Sequence, residues 1–398
     1  MTDPAIAADT AVVPDGVLAP HPVDPLRWQA MLPTDRPQNH ASNLLALPGG
    51  DLLCAWFAGT QEGVSDISIF LSRLPAGGTQ WTEPVQLSSD ADRSEQNPIL
   101  FLGGGLLWLV WTAQASGNQD TAVVRYRQSD DLGRHWGGIG TLFAQPGTFV
   151  RQPPFVTASG KWLLPAYYCR TRPGEKWTGN HDISAVKISQ DQGRTWREVP
   201  VPASTGCVHM SIVDAGGGRL LGLFRSRWAD AIHASHSDDD GETWSAPEAT
   251  GLANNNSSIQ ATTLANGHIA LVFNDRSAAG TTERRASLYD EIEDENRHND
   301  LSNQVADAPA EEREAFWGAP RAPMTLAIST DGGRSWPWRR NLDDGDGYCM
   351  TNNSEKKLNR EFSYPSVTQS ADGRLHVSYT YFRQAIKYVR LDEAWVSA

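Results

Sequence analysis

SDDLGRHW (129–136), SQDQGRTW (189–196), SDDDGETW (237–244) and STDGGRSW (329–336) are four copies of one eight-residue pattern, Ser-x-Asp-x-Gly-x-x-Trp. A degenerate copy, SRLPAGGTQW, ends at Trp81. The pattern has the chemistry of a tight turn. An Asp carboxylate accepts nearby backbone N–H groups, Gly supplies positive φ, and Trp covers the hairpin it closes. Asp131, Asp191, Asp239 and Asp331 are therefore read as folding devices, not as catalysts.

Working outward, a second element recurs in phase. Two apolar runs flank a Gly-containing turn at 43–57, 97–113, 153–168, 210–226, 258–274 and 365–381. Each reads as a β-hairpin. A third strand follows each hairpin, and five of these lead into the turn motif or its remnant. Hairpin, strand, turn and outer strand make a propeller blade. The expected fold is all-β: a six-bladed β-propeller with four-stranded blades and Asp-box turns. Blade 6 ends near Leu391 without a fourth strand, and the segment around Leu26 to Leu32 is expected to supply it, removing the open sheet edges. Residues 1–25 are expected to be an N-terminal tail and 26–398 one propeller domain. The charged stretch at about 283–318 lacks period-2 patterning. It is expected to be an insertion in blade 5, lying over the funnel or the side.

The bulk numbers exclude several classes. No run approaches the ~20 apolar residues of a spanning helix, so no membrane partner is expected. The N-terminus has neither a basic nor an apolar signal region. With four cysteines and no Cys-x-x-Cys pair, this points to the cytoplasm and away from a zinc knuckle. A net charge of −13 disfavours nucleic acid as a partner. No metal constellation or phosphate-binding loop is evident, and no cofactor is expected.

Repeat phase alone locates the rim of the funnel. Before the inner strands stand Asn39 and His40, Gln96 and Asn97, Arg151 and Gln152, His209, Asn256, and Arg360, Glu361 and Tyr364. After the hairpins stand Glu62, Asp66, Arg225, Arg227, Trp228, Arg276 and Arg383. Amides and arginines suit sugar hydroxyls and carboxylates, and an exposed Trp can stack on a sugar face. The expected ligand is an oligosaccharide or glycoside.

The turn motif and blade pattern resemble the sialidase superfamily over roughly residues 38–396. That resemblance implies an acid-base Asp, matched by Asp66, and a nucleophilic Tyr, matched by Tyr364. Arg225 or Arg227 matches the second arginine of the family's carboxylate-binding triad. Arg276 and Arg284 are candidates for the third, while Arg151 and Arg360 offer a differently built clamp. Asn39-His40-Ala41-Ser42 stands where the family has Arg-Ile-Pro, and His209 where it has a Glu. Three readings follow. The first is an exo-acting glycoside hydrolase on an acidic or deoxy sugar, with Asp66 as general acid and Tyr364, Glu361 or Glu62 as nucleophile or base. The second is a uronate-directed lyase, with His40 or His209 and Tyr364 moving protons beside Arg151 or Arg225. The third is a non-catalytic glycan-binding propeller.

Overall fold

A computed structural model describes residues 12–292 and 313–397. Six antiparallel sheets follow one another along the chain. Blade 1 holds Gln38–Ala46, Leu52–Gly59, Ser68–Leu74 and Val85–Gln86, in that order across the sheet. Blade 2 begins with Arg93–Gly103 and Leu106–Ala115, blade 4 with Cys207–Asp214 and Leu220–Ser226, and blade 6 with Phe362–Gln369 and Leu375–Tyr381. In blade 3 the innermost strand is split into Thr148–Val150 and Phe155–Val156, both paired with Trp162–Tyr168. Blade 5 runs Gln260–Thr263, Ile269–Phe273, Met324–Ser329 and Trp338–Asp343, with the insertion between its second and third strands.

The ring closes as the hairpin count requires. Arg27–Met31 pairs antiparallel with Ala385–Leu391, from Arg27 opposite Leu391 to Met31 opposite Lys387. The tail expectation needs correcting for residues 12–25. Ala19–Pro20 pairs with Trp28 and Gln29, and Val17 bridges to Gln80 of blade 1. Leu18 is buried beside Ala30, Leu32 and Trp81. Burying this leucine and pairing these amides anchors a segment whose composition carries no strand pattern.

The turn motif does what its residue types dictate. Ser189 Oγ donates to Asp191 Oδ1 at 2.9 Å and accepts the Gly193 N–H at 2.8 Å. Asp191 Oδ1 accepts the Thr195 N–H at 2.8 Å, and its Oδ2 accepts the Thr195 hydroxyl at 2.6 Å. The same network recurs around Asp131, Asp239 and Asp331. These carboxylates are consumed by their own turns.

A third repeated feature sets up the funnel. Ala41, Asn97, His209, Asn256 and Tyr364 all have φ between 50° and 59°. Strand register shifts across this position in blades 1, 2, 4 and 6. These are β-bulges, which re-aim side chains. A left-handed backbone is uncommon for a bulky residue such as Tyr, and here it recurs from blade to blade at one repeat position. Blade 3 achieves the same interruption by breaking its inner strand at Arg151–Pro154.

Candidate active site in the roofed funnel

The bulges turn His40, His209 and Tyr364 toward one another. The His40 ring centroid lies 4.2 Å from that of Tyr364, and the His209 centroid 5.6 Å. Arg225 reaches in from the second strand of blade 4, and its Nη1 donates to Tyr364 Oη at 2.6 Å. Arg151 comes from the broken strand of blade 3. Its Nη2 donates to the carbonyls of Ser42, Tyr364 and Pro365. Arg321 packs its guanidinium 5.7 Å from the Tyr364 ring. All of these side chains are buried.

The arginines divide into two kinds. Arg227 donates through Nε and Nη2 to Asp182 Oδ2, at 2.9 and 2.7 Å. Arg383 bridges Glu361 and Glu62, and Arg321 pairs with Glu361 at 3.2 Å. Arg151 and Arg225 have no carboxylate partner among the described residues. Nε and Nη1 of Arg151 and Nη2 of Arg225 also lack any hydrogen-bond acceptor there. Burial lowers both guanidiniums to about 10. An unpaired buried charge is costly, and a bound anion would relieve it.

Glu361 has the opposite balance. Burial alone would raise it, but Arg383 and Arg321 hold it below the usual carboxylate range. His40 and His209 are pushed well below the ordinary imidazole value, first by burial and then by the surrounding arginines. Both are therefore neutral at physiological pH. His40 Nδ1 is bonded to Thr380 Oγ1 at 2.7 Å, and its Nε2 has no partner among the described residues. His209 is held at both ends, by Ser258 Oγ at 2.9 Å and Tyr167 Oη at 3.0 Å.

The described ends of the insertion roof this cluster. Tyr289 Oη accepts from Gln119 at 2.9 Å and lies 3.4 Å from the Gln96 amide. Leu288, Ala315 and Trp317 pack on Tyr167, Trp177 and Val208. The stretch 293–312 lies outside the described residues.

The structure thus brings together His40, Arg151, His209, Arg225 and Tyr364, with Glu361, Glu62 and Arg383 in an adjoining ion-pair chain. Asn256 bonds Arg225 Nε at 2.8 Å, Gln96 faces the roof, and buried Asn97 sits on the blade 2 bulge. Of the other expected residues, Asp66 stands on the exposed loop after the second strand of blade 1, and the rest make their contacts outside this cluster. Gln152 donates to the Ile259 carbonyl, and Asn39 accepts from Trp56 Nε1 and Thr34. Asp66 is exposed, and its Oδ2 accepts the Thr60 N–H at 3.0 Å. Arg276 is exposed. Arg360 forks onto Asp346 at the surface. Trp228 packs beside Arg313. Arg321 and Asp182 escaped the sequence reading. Arg321 follows the insertion, where repeat phase is lost, and Asp182 sits among ordinary loop polars. A groove of 940 Å³ between blades 4 and 5 is lined by turn and outer-strand residues such as Gly216, Thr250 and Trp336. It lies apart from the arginine–histidine cluster.

A family model described as BNR repeat-like domain matches residues 50–377. Among solved structures, the fold is similar to the Hadza microbial sialidase Hz136, with a TM-score of 0.64 and 14% identity, over 90% of this chain and 66% of that one. It is also similar to an intramolecular trans-sialidase from Ruminococcus gnavus, with a TM-score of 0.64 and 13% identity, over 90% and 95% of the two chains. A protein of unknown function from Dyadobacter fermentans gives a TM-score of 0.65 at 15% identity, over 92% and 97%. No curated protein matches. At such identities the likeness shows the fold, and substrate and chemistry rest on the site. No described helix is long and apolar enough to cross a membrane. Matched by the family model over most of its length and folded as a six-bladed propeller, the chain belongs to the BNR repeat-like family.

Proposed function

We propose that the protein is an exo-acting glycosidase that takes the terminal acidic sugar of a glycan into the roofed funnel. The observation that carries this reading is the pair of buried guanidiniums beside Tyr364, Arg151 and Arg225, with N–H groups that have no acceptor among the described residues. A carboxylate accepts from such groups by charge-assisted bonds. The roof favours a chain end over an internal residue. In the hydrolytic reading, Tyr364 Oη bonds to the anomeric carbon as the glycosidic C–O bond breaks. Its proton passes to neutral His209 beside the ring, and the departing oxygen takes a proton from Asp66 on the rim loop. Water then cleaves the tyrosyl–sugar bond.

A second reading has its own support: no carboxylate among the described residues bonds Tyr364 Oη, and two neutral histidines flank the ring. Here His40 Nε2 takes the proton α to the sugar carboxylate while Arg151 and Arg225 neutralise the developing charge. The electron pair forms a C=C bond, the C–O bond to the leaving group breaks, and Tyr364 donates the proton to the departing oxygen.

The test incubates the protein with aryl glycosides of sugar acids and with uronate-capped oligosaccharides. Hydrolysis releases aryl alcohol and a reducing sugar acid, and Asp66→Asn and Tyr364→Phe abolish it. Elimination gives a product absorbing in the near ultraviolet, and His40→Ala abolishes that. Binding without turnover identifies a glycan-binding propeller. Absence of any sugar-acid binding sinks the anionic-sugar reading.

A further inference from the structure

The geometry points to Asn256 as a positioning residue that ties the aim of the Arg225 guanidinium to the seating of the blade-5 insertion; this rests on the anionic-sugar reading above. Asn256 stands on the blade 5 bulge at φ 59° and is 1% exposed. Its Oδ1 accepts from Arg225 Nε at 2.8 Å. Its Nδ2 donates to the Phe316 carbonyl at 2.9 Å. One planar amide thus holds the guanidinium on one side and the insertion on the other. A flipped amide would set N–H against N–H and oxygen against oxygen, so the partners dictate one orientation.

The same stretch of insertion touches the site twice more. The Phe316 N–H donates to the Arg227 carbonyl at 2.8 Å. The Trp317 ring lies 5.7 Å from the Arg225 guanidinium and 5.2 Å from that of Arg227. Among the described residues Arg225 makes two other side-chain hydrogen bonds, to Tyr364 Oη at 2.6 Å and His209 Nε2 at 3.4 Å, both through Nη1. Of these residues Asn256 alone bonds its Nε edge, and with it sets the direction of Nη2. The insertion therefore completes the anion site as well as roofing it.

Two variants separate the roles, because Gly and Asp both tolerate a left-handed backbone. Asn256→Gly removes both bonds. Asn256→Asp keeps an acceptor for Arg225 and sets an oxygen against the Phe316 carbonyl. One readout is hydrogen exchange at the Phe316 and Arg285 amides in the unliganded protein. The other is calorimetric binding of sodium glucuronate, galacturonate and N-acetylneuraminate, with their methyl esters as controls. Losing one buried hydrogen bond predicts about five- to tenfold faster exchange in Asn256→Gly, and sugar-acid binding weakened by the same order. Asn256→Asp is expected to loosen the insertion equally and to weaken binding at least as much, because its carboxylate occupies Arg225. Wild-type exchange and wild-type affinity in Asn256→Gly overturn the positioning role while leaving the anionic-sugar reading intact. If the wild-type protein binds no sugar acid, that reading fails and this inference falls with it.

Discussion

Arg225 and Arg227 stand two residues apart and reach the same buried region, yet replacing each by Met is expected to change stability in opposite directions. Arg227 is ion-paired to Asp182, whose side chain is fully buried. Arg227→Met strands that carboxylate, which retains the Trp177 Nε1–H at 2.9 Å, the Arg170 N–H at 3.3 Å and the Cys169 thiol at 3.9 Å. Breaking a buried pair in this way costs about 3–5 kcal/mol. Arg225 has no carboxylate partner among the described residues, and burial lowers it from 12.5 to about 10. At about 1.4 kcal/mol per tenfold in the proton equilibrium, holding it charged costs the fold about 3 kcal/mol at neutral pH. Arg225→Met removes that cost and forfeits the bonds to Asn256 and Tyr364, worth about 1 kcal/mol each. The net lies between no change and a gain of about 2 kcal/mol. The sign with pH follows from the lowered value: the destabilisation is full below pH 10 and relieved above it, so the advantage of Met is greatest near neutrality. Urea unfolding at pH 7 measures both variants, with unchanged m-values confirming a comparable transition. A loss above about 2 kcal/mol in Arg225→Met, or a neutral Arg227→Met, would refute the division into paired and ligand-awaiting arginines.

Gly63, at φ 100°, lies beneath the roof, where an added Cβ would sit 2.5 Å from Ile292 Cδ1 and 3.0 Å from the Tyr289 ring. Gly63→Ala is expected to cost about 1–2 kcal/mol in backbone strain and to lift the roof, read as faster amide exchange at Ile292; unchanged exchange would count against a seated roof. The Asp191 and Asp331 carboxyls are held at about 2, chiefly by the Thr195 and Ser335 hydroxyls. Their stabilisation is present above the unfolded value and lost only as pH falls through about 2, so carbon-detected NMR should find both still ionised at pH 3. Protonation of either above pH 3.5 contradicts the turn chemistry. Burial lowers His40 and His209 well below 6.5 and His376 to about 4. The unfolded chain binds these protons first, so stability falls as pH drops below 6.5. A urea midpoint that does not move between pH 7 and pH 5 would show that these rings are not held neutral.

What this sequence determined by itself was local. The Asp-box closes its hydrogen bonds within eight residues, so composition and spacing suffice to read it. Apolar alternation around a turn marks each hairpin, and counting hairpins yields the blade number and the need for Arg27–Met31 to close the ring. Repeat phase placed His40, Arg151, His209, Arg225 and Tyr364 at the funnel because equivalent positions in every blade point to one axis. The tertiary structure decided which of these groups are spent. Arg227 meets Asp182 from 45 positions away, and Arg321 meets Glu361 from 40, so no spacing rule distinguishes them from the unpaired Arg151 and Arg225. Asp66, matched in sequence to an acid-base residue, has one of its oxygens held by the Thr60 N–H of its own loop. The left-handed backbone of Tyr364 was equally illegible, since a bulky aromatic does not favour it; it goes with the register shift of the inner strand, which only strand pairing reveals. The turns could be read because their partners are neighbours in the chain, while the pairing of charges in the funnel is set by six blades meeting, and that distance is not written along the sequence.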